Sequence, residues 1–294
     1  MNITGHGQNF CGVKYCKGKR CCLYSPSNTF SETEIFKSGT LSFTKGDLLP
    51  IDKKDLGGAS SHHGAILKYS YTDNKDNKFI VKVTDSQHFY SAPVEQLCNS
   101  LYRSLGVHVP DSRIITVDGK ASVISANFVS QKTPVKLIHL CSYIRDEKDY
   151  TFENILKVIK NNSSYPDVDI KTFVETTILD SIVGNIDRHG RNLAFLNSGD
   201  QCCLSPIYDN YSFTSTVGSK SSQGSIRCEG RDSFIENYIA AARDSGNGHH
   251  VDKLLDRINI NKIQKMINTH DGIDDDTKQV MSSYVEEQYR RVKK

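Results

Sequence analysis

The sequence predicts an α+β chain in two lobes, a β-rich N-terminal lobe over residues 1–131 and an α-helical C-terminal lobe over 132–294. Three observations carry this. In Lys78–Thr84 apolar residues alternate with a period of two, Phe79, Val81 and Val83 on one face and Ile80, Lys82 and Thr84 on the other. Strand-like runs come in pairs joined by turn residues, Gly64–Tyr71 with Lys78–Thr84 and Ser112–Val117 with Ala121–Ile124. After about Gln131 the period changes, and Ile170, Phe173, Val174, Ile178, Leu179, Ile182 and Val183 form one broad helical stripe.

Bulk properties narrow the function. The 294 residues suit one large or two modest domains, and 37% hydrophobic with 24% charged residues is an ordinary globular balance. A net charge of +3 is too small for the basic footprint that nucleic acid demands, so no direct nucleic-acid partner is expected. No apolar run approaches the ~20 residues that span a bilayer, and Met1–Phe10 lacks the apolar centre of a signal peptide. The expectation is a cytoplasmic protein without membrane association; export by a specialised secretion system would leave no mark of this kind. Nine cysteines cannot all pair internally, and reduced thiols are expected.

Taken in order, residues 1 to about 45 read as a β-rich lead-in. Cys11, Cys16, Cys21 and Cys22 cluster near His6, but their spacing fits the paired ligands of zinc poorly, and small buried thiols are the expectation. Next comes Gly57-Gly58-Ala59-Ser60-Ser61-His62-His63-Gly64, before the apolar run Ala65-Ile66-Leu67. Glycines allow close backbone approach to an anion, and surface turns use them too. His62 and His63 read either as exposed loop residues or as anion contacts. Lys82 projects from the middle of its strand, opposite the Phe/Val row. Pro93–Leu105 reads as a helix with Val94, Leu97, Cys98, Leu101 and Leu105 on one stripe, and Glu95 at its edge can reach inward. Gly106–Pro110 ends that helix, and a hairpin turns at Asp118-Gly119.

In the second half, Val135–Ile144, Phe152–Ile159 and Ile170–Val183 are expected as helices, the last with Asp167 and Asp169 at its start. Leu193–Leu196 and Cys202–Ile207 read as a hairpin turning at Asn197–Asp200. That fold would bring Asn192, at its entry, close to Asp209, at its exit. Residues 212–230, rich in Ser, Gly and Thr, read as a mobile substrate-binding segment. Helices are expected again at Phe234–Ala242, Val251–Ile258, Ile260–Ile267 and Val280–Val292.

The chemistry gathers in the stretch 178–212. An amide oxygen from Asn192 and the carboxylate of Asp209 are hard oxygen ligands of the kind that Mg²⁺ on a nucleotide phosphate requires. Asp187, five residues before Asn192, stands where it could accept a proton from an incoming hydroxyl.

The run Gly184-Asn185-Ile186-Asp187-Arg188-His189-Gly190-Arg191-Asn192, followed by Ser205-Pro206-Ile207-Tyr208-Asp209, resembles the HipA-type serine/threonine kinases, in particular their compact members. Those carry a D-x-H-x-x-N loop and then P-x-Y/F-D in place of D-F-G. The 57–67 stretch is similar to their G-G-A-x-x-x-x-x-A-L segment, and Leu105–Pro110 to their L-G-x-x-V-P. The resemblance covers about residues 50 to 270 and implies a two-lobed, protein-kinase-like fold that transfers the γ-phosphoryl group of Mg-ATP to a protein Ser or Thr. It gives Asp187 the catalytic role, Lys82 the α/β-phosphates, Glu95 the partnership of that lysine, and Asn192 and Asp209 the Mg²⁺. Gly57, Gly58, Ser60 and Ser61 would cover the phosphates, with Ser60 or Ser61 a site of self-phosphorylation, and His189 would brace the loop. A toxin or effector role, a translation factor as substrate and an antitoxin as partner are implied in the same way. Two other readings stand beside it. Asp187-Arg188-His189-x-x-Asn192 also resembles phosphoinositide lipid kinases, although those continue into D-F-G where this chain has Asp209-Asn210-Tyr211. A non-catalytic nucleotide-binding module would keep the fold without the reaction.

Overall fold

The computed structural model describes residues 56–57, 68–73, 78–84, 92–129, 135–199, 201–211 and 224–293, and the backbone alone of 13–16, 19–22, 49–51, 59–60, 67 and 91. As expected, sheet dominates the N-terminal part and helix the C-terminal part. The strands of the first part are β1 (Val13–Cys16), β2 (Lys19–Cys22), β3 (Leu49–Ile51), β4 (Ala59–Ser60), β5 (Leu67–Thr72), β6 (Lys78–Val83), β7 (Ser112–Val117) and β8 (Lys120–Ala126). Strands β1 and β2 form a separate hairpin, so Cys16, Cys21 and Cys22 lie on strands, while Cys11 lies outside the described residues. The other six make one sheet in the order β3-β7-β8-β6-β5-β4, antiparallel except where β3 meets β7.

The period-two pattern gives this sheet its own apolar face. Tyr69, Phe79, Val81, Ile115, Val117, Ile124 and Ala126 cluster there. Helix α1 (Ser91–Ser104) packs against β7 and β8. Its predicted stripe is buried throughout, but with the helical core: Val94, Leu97, Cys98, Leu101 and Leu105 share one apolar cluster with the C-terminal helices.

The second part contains β9 (Lys136–His139), α2 (Phe152–Asn162), α3 (Pro166–Val183), β10 (Ala194–Asn197), β11 (Cys202–Leu204), α4 (Ile235–Asp244), α5 (Gly248–Arg257), α6 (Ile260–Asn268) and α7 (Asp275–Val292). The helix expected over Val135–Ile144 is corrected: residues 136–139 are a strand, followed by a single 3₁₀ turn at Leu140–Ser142. Val-Lys-Leu-Ile-His satisfies both periods over so short a run. The edge of β10 decides it, taking Leu137 opposite Leu196 and Ile138 opposite Phe195. The β10–β11 hairpin forms as read, with Asn197 opposite Cys202. Its second strand stops at Leu204 because Pro206 has no N–H for a ladder.

Helix α3 is buried on nearly every side, as a central helix must be when its polar side chains also find partners. Asp169 accepts from Ser163 Oγ and from the backbone N–H of Leu204, both at 2.6 Å, fixing the helix start to the hairpin. Its far end closes at Gly184, in the left-handed region (φ 74°), where any side chain would be strained. The mobile segment read over 212–230 is also corrected in part. Residues 212–223 lie outside the described residues, but Ile226 and Cys228 are core residues, and Arg227 exchanges backbone hydrogen bonds with Tyr150 and Phe152. Ile226 and Cys228, apolar side chains among polar ones, dock this stretch together with those backbone hydrogen bonds. No helix among the described residues is long and apolar enough to cross a membrane.

Candidate active site

The sheet, helix α1 and the segment after β11 meet at one cluster of charge. Strand alternation aims Lys82 away from the Phe79/Val81 face, and α1 presents Glu95 to it. Lys82 Nζ lies 2.6 and 2.8 Å from the two carboxylate oxygens of Glu95 and also donates to Asp209 Oδ1. Lys68 on β5 reaches the other oxygen, Oδ2, at 3.3 Å.

The electrostatics follow from burial and pairing. Burial alone would raise the Asp209 carboxyl, but Lys82 and then Lys68 outweigh it and hold the group well below the usual carboxylate range. Burial would likewise lower Lys82, yet Asp209 and Glu95 together keep its ammonium form favoured. Glu95 is raised, because burial and the nearby Asp209 charge exceed the pull of Lys82.

Asp187 lies on the loop after α3 with 69% of its side chain exposed. Partial enclosure of its carboxyl comes first among the causes that raise it; Asp209 adds to the rise, and His189 opposes it. His189 Nε2 stands 3.7 Å from Asp187 Oδ1, and its Nδ1 accepts the Arg191 N–H at 3.2 Å. Asn192 donates Nδ2 to the Asp187 carbonyl at 2.8 Å. Since that carbonyl needs a donor, the amide oxygen of Asn192 is on the opposite side of the group.

Arg188, 2% exposed, organises all of this. Its Nε and Nη2 lie bidentate on Asp180 of α3, each at 2.9 Å. Nη1 donates to the carbonyls of Asn192 at 3.2 Å and Tyr208 at 2.6 Å, and Nη2 also to Asn210 Oδ1 at 2.5 Å. Every one of its five N–H donors is used. Asp209 itself has a φ of 53°, a left-handed conformation that costs a non-glycine residue roughly 1–3 kcal/mol. Arg188 grips the residue on each side of it. Asn210 in turn donates to Asn99 of α1 at 2.8 Å, and Tyr102 of α1 donates to Asp180 at 2.6 Å.

The structure therefore brings Lys82, Glu95 and Asp209 into direct contact and ties Asp187, His189 and Asn192 into one loop. Of the glycine-loop residues, Gly58 and Ser61 lie outside the described residues, as do His62 and His63, and Ser60 is described only as backbone paired with Lys68. Gly57 has a local reason to be glycine: its N–H donates to the Ser70 carbonyl at 2.7 Å, and a Cβ would sit 2.2 Å from Ser70 Oγ. Sequence reasoning missed Arg188, Asp180, Asn210 and Lys68. For Lys68 the signal existed, since pairing the two strands across their short turn sets it opposite Lys82.

Lys82 and Lys68 hold the two oxygens of Asp209, so an ion bound there would compete with them for that carboxylate. Asp209 and Asn192 offer hard oxygens, and among the described residues no group of three or more His, Cys, Asp or Glu comes together as a metal cluster. An ion here would complete its shell from phosphate oxygens and water, as Mg²⁺ does.

The family description of the HipA-like C-terminal domain matches residues 57–272. Among solved structures, the fold is similar to the Helicobacter pylori proinflammatory kinase CtkA, with TM-score 0.67 and 17% identity over 84% of this chain and 95% of that one. It is also similar to a chain of the Shewanella oneidensis MR-1 toxin–antitoxin complex of HipA, HipB and operator DNA, with TM-score 0.61 and 14% identity over 87% of this chain and 68% of that one. No curated protein matches.

Proposed function

The chain belongs to the HipA-like C-terminal domain family, and from that premise we propose that it is an ATP-dependent protein kinase acting on a Ser or Thr hydroxyl. The observation that carries this reading is Lys82 held between Glu95 and Asp209, beside a loop that presents Asp187 and Asn192. ATP would lie between a β-rich lobe ending near residue 131 and the helical remainder. Lys82, braced by Glu95, binds the α- and β-phosphates, and the loop from Gly57 covers them. Asn192 and Asp209 would hold Mg²⁺, which when bound neutralises charge on the phosphate oxygens. Asp187 orients the substrate hydroxyl and takes its proton as the oxygen–phosphorus bond forms and the bond to ADP breaks. Its raised carboxyl makes it a better proton acceptor than an ordinary aspartate. His189 positions the loop.

Within the same proposal, the protein works as a toxin or effector in a reducing compartment, with a protein substrate such as a translation factor. The complex of HipA with HipB and operator DNA supports an antitoxin partner.

The test is a thermal-shift titration with Mg-ATP followed by transfer of labelled γ-phosphate to a panel of proteins and, in parallel, to phosphoinositide vesicles. Stabilisation and protein labelling that disappears in Asp187→Asn are expected. Labelling of lipid alone would reassign the substrate, and binding without transfer would make the chain a non-catalytic module.

A further inference from the structure

The cleft contains a second lysine that the reading above does not use. Lys68 on β5 lies directly opposite Lys82 on β6 in the antiparallel ladder, so both side chains leave the same face of the sheet. Like charges directly opposite one another repel and weaken a strand pair. Two such lysines persist where anions converge on them, and here they share the two oxygens of Asp209: Lys82 takes Oδ1, and Lys68 stands 3.3 Å from Oδ2. The two are not equivalent. Lys82 is held from behind by Glu95 at 2.6 Å. Lys68 lies one strand nearer the sheet edge, beside β4, and meets Asp209 from the side opposite Lys82, at Oδ2 rather than Oδ1. It thus stands beside the proposed metal-site carboxylate on the side toward the loop from Gly57, with Ser60 opposite it in the ladder.

We propose that Lys68 binds the terminal phosphoryl group of ATP, while Lys82 holds the inner phosphates. The inference rests on the kinase reading and adds a residue to it. As the bond from phosphorus to the β,γ-bridging oxygen breaks and the bond to the substrate oxygen forms, the proton passes to Asp187 and the departing electron pair stays with ADP. Negative charge persists on the three equatorial oxygens throughout, and a fixed ammonium group beside them stabilises the transition state. Before nucleotide arrives, Asp209 occupies the same ammonium.

The experiment is calorimetric titration of the full chain and its Lys68→Met and Lys68→Arg variants with Mg-AMP-PNP and with Mg-ADP. Lys68→Met should weaken AMP-PNP about 10- to 100-fold, the loss of one charge-assisted hydrogen bond, while ADP affinity changes less than about 3-fold by the same scale. Lys68→Arg should keep most of the preference for the triphosphate analogue. Unchanged AMP-PNP binding by Lys68→Met overturns the proposal. An equal loss of both nucleotides overturns it too, assigning Lys68 to the support of Asp209. If the unaltered chain binds neither nucleotide, the kinase reading falls, and this inference with it.

Discussion

Arg188 lies bidentate on Asp180, with Nε–Oδ2 and Nη2–Oδ1 both 2.9 Å, inside the helical core. The pair joins the rigid helix α3 to the loop that holds Asp187. Removing one partner of a buried ion pair strands the other charge. Arg188→Met should therefore cost about 3–5 kcal/mol of stability, read in a denaturant melt, and should abolish phosphoryl transfer. Arg188→Lys should recover little, because an ammonium cannot supply the bidentate fork or reach Tyr208 and Asn210 together.

Asp187→Asn and Asp209→Asn should each abolish transfer while differing in stability. Asp187 is largely exposed, and among the described residues its ion-pair partner is His189 at 3.7 Å, so its variant should melt within a few degrees of the parent chain. Asp209 compensates two lysines, so its variant should lose about 1.5–3 kcal/mol, the worth of a charged hydrogen bond. Thermal melts and a transfer assay on the same preparations check both. Retained activity in either variant removes that residue from the site.

Ser60 pairs with Lys68 across the β4–β5 ladder, beside the cleft. A phosphate on Ser60 or Ser61 adds roughly −2 charge and would compete with ATP for the lysines. Peptide mass analysis should find phosphate there in active protein and not in Asp187→Asn, and Ser→Asp changes should weaken ATP binding. Absence of the modification from active protein would rule out self-inhibition at this loop.

His250 on α5 is pushed down to about 4, first by burial and then by the charges of His249, Lys171 and Lys253, which Asp167 opposes. Its folded value lies below the unfolded value of about 6.5, so folding favours the neutral ring. Its contribution is intact above about pH 6.5 and is lost as pH falls toward the folded value. Stability of the parent chain should decline over that window, and His250→Gln should flatten the decline. Parallel curves for the two proteins would exclude this residue as the cause.

The residues proposed to face a ligand were the most legible in the sequence. Asp187 and Asn192 announce themselves by spacing on one loop, and Lys82 and Glu95 by their positions on a strand and a helix stripe. The residues that hold them were not legible. Nothing in its spacing sets Arg188 apart within the loop, Asp180 is one of several polar residues of α3, and only the return of the β10–β11 hairpin brings Tyr208 and Asn210 to the same guanidinium. The helix expected over Val135–Ile144 fails because Val135–His139 satisfies both periods, and the pairing edge that settles the matter comes from β10, far along the chain.

Helix α1 comes from the N-terminal half, yet Leu97, Cys98 and Leu101 face Val183, Ile267, Met281 and Val285 of the helical half. Tyr102 and Asn99 add hydrogen bonds to Asp180 and Asn210, and Gln96 bonds His270 at 2.7 Å. Swinging Glu95 outward, away from Lys82, would expose that apolar surface and unpair those groups at once. Rotation of this helix would therefore carry the cost of those contacts as well as of the Lys82–Glu95 pair. The strands that pack on α1 are β7 and β8, whereas β5 and β4 lie at the opposite margin of the sheet, and β4 pairs with its neighbour through two residues. On the proposed kinase reading, control of the cleft would fall to that margin, where Lys68 is paired with Ser60 and a small displacement of one short strand would move Lys68 while Glu95 stays in place.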